Sequence, residues 1–174
     1  METEEQSKKP IERHTLSLLV DNEPGVLARV AGLFSGRGFN IESLCVAATT
    51  DPKLSRITIV TQGDALIQEQ INKQLNKLIN VVKVVDFTGS EFVEREMALI
   101  KVNAAAGHRA EILRIVDIFR CKVVDVSTGF YTLEVTGNRG KIVALLDLLK
   151  PMGIAEIART GAIALARGKK RSAE

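Results

Sequence analysis

Tryptophan is absent from the chain, tyrosine occurs once and phenylalanine six times, so aromatic residues make up only 4% of 174. A surface that stacks unpaired bases is built from such rings, and their scarcity argues against a nucleic-acid platform. Cysteine is nearly as rare. Cys45 and Cys121 each stand alone in an apolar stretch, which excludes a disulfide framework or a thiolate metal site and predicts small buried hydrophobes in a reducing compartment. His14 and His108 have no acid or cysteine at metal-ligand spacing. No apolar run approaches the ~20 residues of a membrane helix. The head METEEQSKKPIER has no apolar leader segment, and its acidic residues argue against a transit peptide. The expectation is a soluble, cytoplasmic chain with no metal and no membrane. The net charge of +3 is modest, and the basic tail ARGKKRSAE reads as a solvated end.

Catalytic signatures are missing too. Gly137-Asn138-Arg139-Gly140-Lys141 has the look of a phosphate loop, but Val135 stands where the first glycine belongs and Ile142 where a Ser or Thr belongs. An ordinary strand-to-helix turn is expected there. Gly32, Gly36 and Gly38 lack dinucleotide-fingerprint spacing and fall at the wrong end of a helix. Glu91, Glu94 and Glu96 read as a solvated acidic linker, and Ser43 and Ser127 carry no nucleophile motif. The chain is expected to perform no chemistry itself.

What is present is a strong alternation of strand and helix patterns. Leu16, Leu18 and Val20 recur at period two, and Val26, Val30 and Leu33 at helical spacing from about Pro24 to Arg37. Gly38 is the expected left-handed helix end. Asn40 to Ala48 and Ser55 to Thr61 read as a hairpin about Thr49-Thr50-Asp51-Pro52. Asp64 caps a second helix with an Ile67, Ile71, Leu75, Leu78 stripe, and Val81 to Phe87 is a fourth strand. After Thr88-Gly89-Ser90 the order repeats. Met97 to Val102 is a strand, and His108 to Phe119 a helix with Ile112, Leu113, Val116 and Phe119 inward. Lys122 to Val126 and Tyr131 to Thr136 form a hairpin, Lys141 to Met152 a helix, and Ile154 to Ala166 a strand broken near Gly161. The fold class is therefore α+β, two tandem ferredoxin-like βαββαβ domains. Residues 1–12 are a disordered head, 13–88 the first domain, 89–168 the second and 169–174 the tail.

The candidate site is the turn Asp21-Asn22-Glu23-Pro24-Gly25 leading into the first helix. Pro24 suits a first helical turn, and Asp21 or Asn22 is placed to cap it. The first N–H groups of a helix lack internal partners and carry positive potential, so a carboxylate is a natural guest. Asn22 and Asn40 lie at opposite ends of the helix connection, roughly 20 Å apart at 1.5 Å per residue. They can share a ligand only across two protomers. Exposed sheet edges also invite a side-by-side dimer.

Asp21-Asn22-Glu23-Pro24-Gly25-Val26-Leu27 resembles the ligand loop of ACT domains, which sense small molecules in amino-acid metabolism. The run GVLARVAGLFSGRGFNIESL, then Asp51-Pro52, LSRITIVTQGD, QLNKLINVVKV, Val93-Glu94-Arg95-Glu96, Ile118-Phe119-Arg120 and Ala158-Arg159-Thr160-Gly161, is similar to the small regulatory subunit of acetohydroxyacid (acetolactate) synthase. The resemblance covers about Thr15 to Gly168. It implies a non-catalytic subunit that activates a catalytic large subunit and confers feedback inhibition by valine or another branched-chain amino acid. Thiamine diphosphate, Mg2+ and FAD would belong to that large subunit, with no cofactor in this chain. It further implies a homodimer in which Asn22, Gly25, Val26 and Leu27 of one protomer face Asn40 and Ile41 of the other around the effector. The alternatives are a stand-alone amino-acid-binding regulator and an RNA-recognition module of the same strand order. The third strand, Ser55 to Thr61, lacks the aromatics that an RNA module needs.

Overall fold

The computed structural model describes residues 11–168; the expectations for the head up to residue 10 and for the tail from 169 lie outside them. The chain divides into two units, one ending at Glu91 and the other starting at Phe92. The first unit runs β1 (Glu12–Asp21), α1 (Val26–Ser35), β2 (Ile41–Ala48), β3 (Leu54–Gly63), α2 (Ala65–Leu75) and β4 (Val81–Asp86). Its antiparallel sheet has the order β2-β3-β1-β4, so β2 and β4 are its edges. Leu16, Leu18 and Val20 of β1 meet Ile57 and Ile59 of β3 on one sheet face, where both helices cover them. Val26, Val30, Leu33 and Phe34 come from α1, and Ile71 and Leu75 from α2. These are the period-two and helical stripes expected from the sequence.

The second unit repeats the plan with β5 (Phe92–Asn103), α3 (Arg109–Phe119), β6 (Lys122–Val126), β7 (Phe130–Gly137), α4 (Arg139–Leu149), β8 (Ile154–Arg159) and β9 (Ile163–Ala166). The strand order is β6-β7-β5-β8, and β9 continues antiparallel pairing with the first residues of β5. The expected break falls at Gly161, whose φ is 80°. Thr160 bridges it, its N–H donating to the Met97 carbonyl at 3.0 Å. The core gathers Ala98, Ile100 and Val102 with Leu133 and Val135 under Ile112, Ile115, Ile142, Leu145 and Leu149.

Helix ends follow local chemistry. Asp64 and Asn138 each accept from the N–H three residues on, at 2.9 and 3.0 Å, so the glycine-containing turn before α4 is an ordinary capped helix start. After α1 the Phe39 N–H donates to Phe34 and the Gly38 N–H to Ser35, with Gly38 at φ 70°, a complete left-handed end.

Five local expectations need correction. Pro24 is not helical and neither Asp21 nor Asn22 caps α1, which starts at Val26 behind Gly25 with no side-chain cap. Leu113 points outward, 45% exposed, and Ile115 takes the core position. The fourth helix runs Arg139–Leu149 and passes into a 3-10 turn at Lys150–Met152, because Pro151 supplies no N–H to continue the α-helical ladder. The acidic run is no linker. Glu94 and Glu96 lie in β5, and Glu96 is buried. Cys45 and Cys121 are half-buried rather than fully enclosed. Burial raises the Cys121 thiol above its usual value, with Lys141 opposing the effect.

Candidate functional site

At the end of β1 the chain is tied to two neighbouring segments before α1 begins. The Asp21 N–H donates to the Asn80 carbonyl at 2.9 Å, and the Asn80 amide returns a bond to the Asp21 carboxylate at 3.2 Å. Arg29, one turn into α1, bonds the Asn80 side-chain oxygen. On the other flank the Asn22 N–H donates to Lys53 at 2.7 Å. The Asn22 side chain donates to the Pro52 carbonyl at 2.9 Å and accepts from the Ser55 hydroxyl at 3.0 Å. The β2–β3 turn that receives it is itself stiffened, the Asp51 carboxylate accepting from the Lys53 N–H at 2.9 Å. Asn22 therefore fixes the loop to the hairpin as well as facing solvent beside it.

Gly25 then takes φ 84°, ψ −10°, a left-handed conformation that aims the start of α1. The Val26 N–H makes one long bond to Glu23 at 3.4 Å. Among the described residues no acceptor meets the N–H of Gly25, Leu27 or Ala28, and no acidic side chain lies in the first turn. Three donors and the positive helix end thus face outward from a loop held on both sides, which suits a carboxylate. Val26 sends its side chain into the core, 4% exposed, whereas Leu27 is 42% exposed beside the donors. An added Cβ at Gly25 would meet nothing within 4 Å. Gly25→Ala is therefore expected to lose about 1–2 kcal/mol from backbone strain alone, read from urea unfolding midpoints.

The structure gathers Asn22, Gly25, Val26 and Leu27 into one loop and leaves Asn40 and Ile41 at the far end of α1, whose 10 residues span about 15 Å. Asn40 is exposed, and its carbonyl accepts from the Thr61 hydroxyl at 2.6 Å. Ile41, half-buried, opens the edge strand β2 opposite Thr61. Sequence reasoning missed Ser55, Asn80 and Arg29. Ser55 and Asn80 lie 33 and 59 residues from their loop partners, where no local spacing signals a contact. Among the described residues, no group of three His, Cys, Asp or Glu is placed to hold a metal. No helix among them is long and apolar enough to cross a membrane.

Residues 16–83 match the family described as the AHAS small subunit-like ACT domain, and residues 95–168 the family described as the small subunit of acetolactate synthase. The acetolactate synthase small subunit of Mycobacterium bovis is 56% identical over 157 residues, covering 90% of this chain and 94% of that protein. The chain belongs to the acetolactate synthase small-subunit family. A second small subunit, from Aquifex aeolicus, is 51% identical over 161 residues, 92% of this chain and 84% of that one. The crystal structure of the acetolactate synthase small subunit from Thermotoga maritima has the same fold. It gives a TM-score of 0.83 at 45% identity, covering 91% of this chain and 99% of that one. Both units are thus accounted for, and the first is an ACT domain. Membership and the ACT domain together support a regulatory role in branched-chain amino-acid synthesis.

Proposed function

We propose that this chain is the non-catalytic regulatory subunit of a cytoplasmic acetolactate synthase. It activates a catalytic large subunit, which carries thiamine diphosphate, Mg2+ and FAD, and it makes that subunit sensitive to valine or a related branched-chain amino acid. The observation that carries this reading is the set of N–H groups at Gly25, Leu27 and Ala28 that meet no acceptor among the described residues, held by the bonds of Asn22 to Pro52 and Ser55. They take the effector carboxylate.

Asn40 and Ile41 lie too far along α1 to reach the same molecule in one protomer. The edge position of β2 in the described sheet supplies the remedy: a second copy adding its own β2 there extends the sheet and carries its Asn40 toward the first copy's Asn22. Exposed Leu27 and Val46 would be covered in the same step. An effector bound at that seam biases only arrangements for which its affinity differs, and the large subunit reads the resulting shift. A hydrophobic pocket separates side chains one methylene apart by only about 1–3 kcal/mol, so valine and its homologues compete for one site.

Calorimetric titration with valine tests this. Asn22→Ala and Asn40→Ala are each expected to weaken binding by about tenfold, the loss of a hydrogen bond to a charged group. Sedimentation should show a dimer. Asn40→Ala binding as well as the wild type would remove the cross-protomer site. A concentration-independent monomer that still binds valine would leave a stand-alone sensor.

A further inference from the structure

A groove of about 710 Å³ lies beside α2 at the opposite end of β1 from the ligand loop, lined by His14, Gln68, Asn72, Lys77, Asp86 and Thr88 among others. Its polar wall is built on the Asp86 carboxylate. Gln68 donates its Nε2 to that carboxylate at 2.7 Å and Asn72 its Nδ2 at 2.9 Å. A carboxylate of this kind only accepts, so both amides must turn their NH2 groups toward Asp86 and their oxygens away. Gln68 Oε1 and Asn72 Oδ1 are consequently buried without a donor among the described residues, and Gln68 as a whole is 6% exposed.

No described side chain donates to these two oxygens, and two that could are committed elsewhere. His14 places Nε2 on the Gly63 carbonyl at 3.0 Å, which requires a proton there, and Nδ1 against the Thr88 hydroxyl at 2.8 Å. Lys73 is paired with Glu69 at 2.6 Å. Two orphaned acceptors one helical turn apart in the wall of a groove call for donors beyond the described residues. A primary ammonium carries three such donors on one atom and can serve both oxygens at once.

We propose that this groove is a second small-molecule site, independent of the ligand loop, that binds a primary ammonium compound through Gln68 Oε1 and Asn72 Oδ1. The alkyl part lies along the groove, and an anionic end, where the ligand has one, meets Lys77.

The test is a titration of the full chain with n-butylammonium chloride, followed by NMR through the side-chain amide signals of Gln68 and Asn72. Saturable shifts are expected with butylammonium. Tetramethylammonium, which has the charge but no N–H, should leave these signals unmoved, as should sodium butyrate. Asn72→Met should weaken butylammonium roughly tenfold. The wild-type comparison decides the matter even where a variant folds poorly. No saturable shift, or an equal response to tetramethylammonium, would overturn the assignment and leave an ordered water as the partner of both oxygens.

Discussion

Arg159→Met is expected to destabilise the second unit by about 3 kcal/mol, near the lower end of the range for breaking a buried ion pair. Arg159 donates Nε–H and Nη2–H to the two oxygens of Glu96 at 2.5 and 2.7 Å, a planar two-point grip between β8 and β5. Those bonds hold the guanidinium pKa above its ordinary value, with burial opposing. Glu96 is 6% exposed, so removing its partner strands a charge out of water, while the 41% exposure of the arginine side lets some solvent reach it. Urea unfolding at neutral pH measures the loss. The double variant Glu96→Met, Arg159→Met should recover much of the loss, since the isolated buried charge and not the missing pair carries the cost. A single variant as stable as the wild type at neutral pH would show that water already reaches the pair.

Asp86→Ala should cost the first unit about 3 kcal/mol at neutral pH. The carboxylate is a hub: besides Gln68 and Asn72 of α2, the Thr88 N–H reaches it at 2.9 Å and the Thr88 hydroxyl at 2.6 Å. Hydrogen bonds to a charged acceptor are worth about 1.5–3 kcal/mol each and do not add within a network, and the substitution also orphans the amide donors. Burial pushes this carboxyl upward, but the bonds from Thr88, Gln68 and Asn72 outweigh it and hold the group below its ordinary value of 3.8. A depressed carboxyl binds fewer protons folded than unfolded in that range, so its contribution is complete above the ordinary value and is lost as pH falls through the folded one. The wild type should therefore weaken in acid below about pH 4 by a component that Asp86→Ala lacks. Parallel unfolding curves for the two proteins from pH 3 to 7 would contradict it.

The elements that came through unaltered are those written locally. Alternation at Leu16, Leu18 and Val20, the Ile71 and Leu75 stripe, Asp64 as a cap and Gly38 as a helix end each depend on neighbours within a few residues. Glu96 shows where a readable signal was overridden by composition. It falls in phase with Ala98, Ile100 and Val102, so the period assigned it to the buried face even though three acids in six residues suggested solvent. Leu113 and Ile115 show the reverse limit: both fit an apolar helix face, and only packing on the sheet selected Ile115.

The sequence by itself determined the strand-helix order, its repetition and the core stripes, and it singled out Asp21–Leu27 as the candidate stretch for a ligand, because periodicity, capping and glycine chemistry act over short range. Tertiary structure alone decided that Asn22 is held by Pro52 and Ser55, that Asn80 and Arg29 brace the loop, and that Gln68 and Asn72 meet over Asp86. Except for the i,i+4 neighbours Gln68 and Asn72, those partners are brought together by sheet order and helix docking. Side-chain hydrogen bonds are satisfied by whatever the fold brings within about 3 Å, and that distance carries no trace in the spacing of residues along the chain.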